Sequence, residues 1–97
     1  MLDTSTLTQL KTILFNYIDP KNYSVFIFGS RATGKNKKYS DIDIGIEGEK
    51  PLGLRTISKL QDAFDESNLP FTVDIVDFSS VSDKFKISAR KNNITLN

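Results

Sequence analysis

Three aspartates and one glycine–serine pair are the residues of this chain best placed to do chemistry. Asp41 and Asp43 flank Ile42 in a strictly alternating stretch that runs from Asp41 to Glu47. On a strand, residues two apart share a face, so both carboxylates project to the same side. Aspartate is depleted in strands, and adjacent like charges repel unless a cation lies between them. An all-oxygen donor set selects Mg²⁺ or Mn²⁺, with phosphate oxygens of a substrate completing the shell. An amphipathic edge strand with a wet outer face would carry the same Asp-x-Asp pattern. Asp74, within Thr72-Val73-Asp74-Ile75-Val76, supplies a third carboxylate. Asp77 is its rival, but three positions along a regular strand reverse the face. Gly29-Ser30 follows an apolar run, and glycine there lets backbone N–H groups come close to an anion. Gly-Ser after a strand is equally an ordinary turn. Three carboxylates beside a phosphate-binding turn suit two-metal phosphoryl or nucleotidyl transfer, in which ions about 3.5–4 Å apart clamp the attacking and leaving oxygens.

Composition narrows the field in the same direction. The 97 residues contain no cysteine and no histidine. This excludes thiolate nucleophiles, disulfide frameworks, zinc–imidazole sites and Ser-His-Asp arrangements. Carboxylates, hydroxyls, Lys, Arg, Tyr and a hard metal ion are what remain. The 13 Lys+Arg against 12 Asp+Glu leave a net charge of +1. That balance speaks against bulk electrostatic binding to nucleic acid, for which only the turn Lys35 to Lys38 and the group Lys84, Lys86, Arg90 and Lys91 are available. The longest apolar run is Val25-Phe26-Ile27-Phe28, far short of the roughly 20 residues a membrane span needs. With Asp3 and a Thr/Ser-rich start, the N-terminus does not read as a secretory signal, and a cytoplasmic location is expected.

The elements that position these residues alternate between helix and strand. Leu7, Leu10, Leu14 and Tyr17 fall at helical spacing, with Thr4 or Thr6 as N-cap and Asp19-Pro20 as the stop. Tyr23 to Phe28 reads as a buried strand, Ser30 to Tyr39 as a polar, basic turn, and Asp41 to Glu47 as a strand with Ile42, Ile44 and Ile46 on its inner face. Pro51 suits the first turn of a helix carrying Ile57, Leu60 and Phe64, which Asn68-Leu69-Pro70 ends. Phe71 to Phe78 reads as a strand, and Ser80 opens a last helix with Val81 and Phe85 facing inward and Asn92-Asn93 closing it. Ile94-Thr95-Leu96 is a candidate edge strand. The expectation is one α/β (α+β) domain over residues 1–97, built on a single small sheet. A helix between the second and third strands makes that pair parallel. If the first two strands are antiparallel, Gly29-Ser30, Asp41-x-Asp43 and Asp74 all arrive at one end of the sheet.

The stretch Phe28-Gly29-Ser30-Arg31-Ala32-Thr33-Gly34 through Ser40-Asp41-Ile42-Asp43-Ile44 resembles the minimal nucleotidyltransferases of the DNA polymerase beta superfamily. Their signature is Gly-Ser, ten residues, then Asp-x-Asp, and Arg31 to Ser40 supplies the ten. The resemblance implies a nucleotidyltransferase-like fold, a small mixed sheet with helices mainly on one face. It also implies roles. Gly29 and Ser30 would hold the nucleotide's phosphates, and Asp41 and Asp43 would coordinate two Mg²⁺ ions. Asp74 would ligate the catalytic metal and help deprotonate the attacking hydroxyl. Arg31 would contact the triphosphate, unless it is simply an exposed residue of a basic turn. Thr33 stands where many relatives carry a second basic residue, a gap that Lys35, Lys37 and Lys38 are near enough to fill.

Members of this size resemble the antitoxin halves of two-gene modules that also encode a helical HEPN ribonuclease toxin. The family expectation is transfer of AMP from ATP to a toxin tyrosine. A chain this short has little material for an acceptor pocket, so an acceptor carried by another protein is expected. Two other readings compete: nucleotidyl transfer to a small-molecule hydroxyl, and a non-catalytic antitoxin that neutralises by binding. Three converging acids disfavour the last, because a binding module has no use for them.

Overall fold

The computed structural model describes residues 3–29 and 41–97. Helix α1 spans Thr4–Tyr17, and its N-cap is Asp3 rather than Thr4 or Thr6. The Asp3 carboxylate accepts the Thr6 N–H at 2.7 Å, and those hydrogen bonds hold its pKa below the ordinary carboxylate value. A carboxylate satisfies an orphan N–H as a hydroxyl does and also complements the positive end of the helix. The helix stops at Tyr17, with Ile18 extended. The next turn is tied by Asp19, whose carboxylate accepts from the Lys21 N–H and from Asn22 Nδ2, each at 2.9 Å.

Strand β1 (Tyr23–Phe28) pairs antiparallel with β2 (Ile42–Gly48), which pairs parallel with β3 (Val73–Asp77). Strand β4 (Ile94–Thr95) pairs antiparallel with the other edge of β1, giving the order β3-β2-β1-β4. The mixed sheet and the parallel crossover both follow the expectation from sequence. Several boundaries differ, and three of the differences have a visible cause. Helix α2 covers Leu54–Asp65 and starts after Pro51, with Gly53 as N-cap. Leu52 is buried in the core and its N–H donates to Asp77 Oδ2 at 3.0 Å, which anchors the segment before the helix begins. Strand β3 ends at Asp77, because Asp77 Oδ1 takes the Ser79 N–H at 2.9 Å and turns the chain into a short 3₁₀ segment, Phe78–Ser80. Helix α3 therefore covers Asp83–Lys91, N-capped by Ser82 and not begun by Ser80.

The alternation of β1 and β2 divides the molecule into two cores. Val25, Ile27, Ile42, Ile44, Ile46 and Val73 face α1 and α2, packing on Leu10, Leu14, Leu60 and Phe64. On the other side Phe26, Phe28 and Phe78 pack with Ala89 of α3. Two helices cover one face and one covers the other. Gly45 lies under the aromatic group: a Cβ there would stand 2.5 Å from Phe26 Cε2 and 2.7 Å from Phe78 Cε1. The outer face of β2 is thus covered at its middle by the aromatic group, with Asp43 and Glu47 half-buried on either side of Gly45.

Candidate active site

Strand β2 lies between β1 and β3, so Asp43 has a neighbour on each side: Phe28 in the antiparallel pair and Asp74 in the parallel pair. Adjacent strands lie about 4.8 Å apart, which brings Asp43 and Asp74 side by side on the same face. Asp41 stands one residue before β2. It is exposed, as is Asp74, while Asp43 is half-buried. The end of β1 reaches the same place. Gly29 has φ +76°, and a Cβ there would stand 2.6 Å from Asp43 Oδ2. Only glycine meets both demands, since a side chain would be strained at that φ and would collide with the carboxylate. Ser30, Arg31, Thr33 and Lys35 to Lys38 lie outside the described residues.

The electrostatics agree with the geometry. Burial pushes the pKa of Asp43 above the ordinary carboxylate value, and the negative charges of Asp74 and then Asp41 push it further. The ion pairs among the described residues both involve Glu47, with Lys86 Nζ and Arg90 Nη2, each at 3.5 Å. Among the described residues no three acidic side chains form a ready metal cage. Repelling carboxylates are not drawn together without a cation between them. Their donors are all oxygen, the set a hard divalent cation takes.

Asp77 does not join this group. Its carboxylate is taken up by the Leu52 N–H, the Ser79 N–H and the Ser79 hydroxyl. Two of the four basic residues of α3 are likewise engaged: Lys86 and Arg90 pair with Glu47 across to the sheet. Next to Gly29 opens a cleft that the sequence reading did not assemble, walled by Phe28, Gly29, Phe85, Ser88, Ala89 and Asn92. Its signal was available in the helical spacing of 85, 88, 89 and 92. Val81 and Phe85 were expected to face inward, and of these only Phe85 lines the cleft; it touches Phe28 and Phe78 while remaining 43% exposed.

Known proteins resemble this chain in sequence and in fold. The profile of the family described as polymerase beta, nucleotidyltransferase, matches residues 8–97. A probable protein adenylyltransferase, MntA of Haemophilus influenzae, is 41% identical over 90 residues, or 93% of this chain and 77% of that protein. A crystal structure of a toxin–antitoxin with AMP-PNP superposes with TM-score 0.77 at 26% identity, covering 94% of this chain and 72% of that one. The complex of a tri-AMPylated Shewanella oneidensis HEPN toxin with MNT antitoxin gives TM-score 0.68 at 23% identity, covering 99% and 72%, a likeness of fold. Both the profile and the Haemophilus relative reach from α1 through the acidic site, and the chain belongs to the polymerase beta nucleotidyltransferase family.

Proposed function

We propose that this chain transfers AMP from ATP to a tyrosine hydroxyl of a HEPN-type toxin and so acts as the antitoxin of a toxin–antitoxin pair. The observation that carries the reading is Asp43, set between Asp74 and the left-handed Gly29 with its pKa raised by burial and by two neighbouring acids. Such a site lowers its energy by gaining positive charge, and a nucleotide–Mg²⁺ complex brings it. The relatives add support: the Haemophilus protein is named an adenylyltransferase, and the toxin–antitoxin structure contains an ATP analogue.

In this reading Asp41, Asp43 and Asp74 would hold Mg²⁺, while Gly29 and Ser30 would offer backbone N–H groups to the triphosphate and Arg31 would contact it. Bound Mg²⁺ would supply neutralisation of the phosphate charge and a lower pKa for the attacking hydroxyl. The tyrosine oxygen attacks the α-phosphorus, a new P–O bond forms, and the bond to the bridging oxygen breaks in line. Pyrophosphate leaves with that electron pair. Asp74, exposed at the rim, accepts the tyrosine proton and passes it to solvent.

The test is to incubate the protein with each NTP, Mg²⁺ and the neighbouring gene's product, then weigh both proteins. A partner mass gain in whole AMP units, absent in Asp41→Asn and Asp43→Asn, is the expected result. Neutralisation of the partner that survives both substitutions would establish binding without catalysis instead. Labelling of a small hydroxylated compound with no change in the partner would move the acceptor to a small molecule.

A further inference from the structure

Helix α2 packs Ile57, Leu60 and Phe64 on the core, and the remaining position of that stripe, 61, is a glutamine. A polar side chain on a core-facing stripe calls for a partner. Gln61 finds it in β3: Nε2 donates to the Val73 carbonyl at 2.5 Å and Oε1 accepts the Ile75 N–H at 3.4 Å. Both groups lie on the edge of β3 away from β2, since the carbonyl one residue earlier, that of Thr72, accepts the Ile42 N–H at 2.8 Å. Leu60 and Phe64, buried on the same stripe, fasten the helix that carries the amide.

The Val73 carbonyl and the Ile75 N–H belong to the two peptide units that flank the Asp74 Cα. Each unit is planar, so the two dihedrals between them set the direction in which the Asp74 side chain leaves the strand. Holding both units therefore fixes that direction. One amide gives this edge residue the two-sided backbone support that Asp43 receives from β1 and β3. We propose that Gln61 is a positioning residue for Asp74, acting through the strand and not on the reacting atoms. This role rests on the proposed function, in which Asp74 shares the metal with Asp41 and Asp43 and takes the hydroxyl proton. Glutamine is the side chain that suits it. Asparagine is one methylene shorter, ionised glutamate can only accept, and methionine has the length without a donor. The rival account is that the amide merely closes a sheet edge, in which case its loss lowers stability and leaves the chemistry alone.

The experiment compares the full chain as wild type, Gln61→Met and Asn97→Ala. Asn97 is the matched control, because its carboxamide also clamps backbone, at the end of β1 remote from the acids. It accepts the Val25 N–H at 2.9 Å and donates to the Tyr23 and Pro20 carbonyls at 2.7 and 3.0 Å. Urea melts give stability, and electron paramagnetic resonance gives the affinity of each protein for Mn²⁺ without nucleotide. Kinetics with the partner protein at saturating Mg²⁺ give kcat and the KM for ATP. Gln61→Met is expected to bind Mn²⁺ about tenfold more weakly than the wild type. Its kcat should fall about tenfold or more with little change in KM, because a misplaced group costs rate even with the metal bound. Asn97→Ala should lose stability and keep both Mn²⁺ affinity and kcat. Should Gln61→Met fail to fold, Gln61→Glu, which keeps the acceptor for Ile75 and loses the donor to Val73, carries the same comparison. Mn²⁺ affinity and kcat in the Gln61 variant that stay level with Asn97→Ala would overturn the positioning role and leave the proposed function standing. A wild type that binds Mn²⁺ and transfers nothing would end the proposed function; weaker Mn²⁺ binding by the Gln61 variant then still upholds the positioning, and equal binding overturns it. If the wild type binds no Mn²⁺, both fall.

Discussion

Asp43 occupies a position where its charge is poorly accommodated by the protein itself. Half-buried beside two other acids, its carboxyl has a pKa raised in the folded state. The ionised form therefore costs stability at every pH above that raised value, and the cost vanishes below the ordinary carboxylate range, about pH 4. Asp43→Asn removes it. The metal-free variant is expected to melt at a higher temperature than the wild type at neutral pH, with the gap closing as pH falls towards about 4. Excess Mg²⁺ should reverse the order, because only the wild type keeps the carboxylate. Thermal melts across pH, with and without chelator, check both statements. Transfer activity of the same variant should fall by at least about 100-fold, since loss of even a supporting partner of a metal ligand costs about 10–100-fold. Gly29→Ala acts on the same place from the backbone. The left-handed φ costs a side-chain-bearing residue about 1–2 kcal/mol, and its Cβ would displace the Asp43 carboxylate. Activity is expected to fall further than that loss of stability alone explains, as steady-state kinetics beside a urea melt would reveal.

At the scale of elements, the acids depend on how β3 is held. Asp74 stands on an edge strand, whose outer N–H and C=O groups would otherwise be open. Gln61 of α2 closes that edge: its Nε2 donates to the Val73 carbonyl at 2.5 Å, and its Oε1 accepts the Ile75 N–H at 3.4 Å. The two residues bracket Asp74, so one amide both blunts the edge and steadies the carboxylate. Gln61→Ala leaves two partly buried backbone groups without this partner and is expected to cost about 1–3 kcal/mol. The urea midpoint should fall with little change in slope. On the other side β4 pairs with β1, and α3 lies over the second face of the sheet, where Glu47 of β2 receives Lys86 and Arg90. Exposed pairs of this kind contribute at most about 1 kcal/mol, so the aromatic packing does most to seat α3.

The whole molecule is one sheet between two unequal cores, and the site lies at the end of the sheet where both meet. The larger core unites α1, α2 and the inner faces of the strands; the smaller consists of Phe26, Phe28, Phe78 and Ala89. Phe78 is the centre of the smaller core, 1% exposed and within 4.8–5.4 Å, centroid to centroid, of the rings of Phe26, Phe28 and Phe85. Phe78→Ala is expected to cost about 3–5 kcal/mol, a large share of the roughly 5–15 kcal/mol that holds a small domain folded. Hydrogen exchange should show α3 opening well before β2 in this variant, because α3 has few other apolar contacts. Among the described residues no helix is long and apolar enough to cross a membrane.

Much of the candidate site was legible in the chain because its logic is local. A period of two puts Asp41 and Asp43 on one face, a helix-length connection makes β2 and β3 parallel, and Gly-Ser at the end of an apolar strand marks the turn. The absence of histidine and cysteine had already confined the chemistry to oxygen ligands. Other features depended on contacts between residues far apart in sequence. Helix α2 begins late because Leu52 is bound by Asp77, 25 residues away. Alternation puts Gly45 on the face opposite Ile44 and Ile46, and only the rings of Phe26 and Phe78 show why no side chain fits there. Local spacing sets which way a side chain points. What it meets there is decided by packing, so the sequence determined the acids and their common face, and tertiary structure decided which acid is buried, which is spent on a turn, and which is steadied from α2.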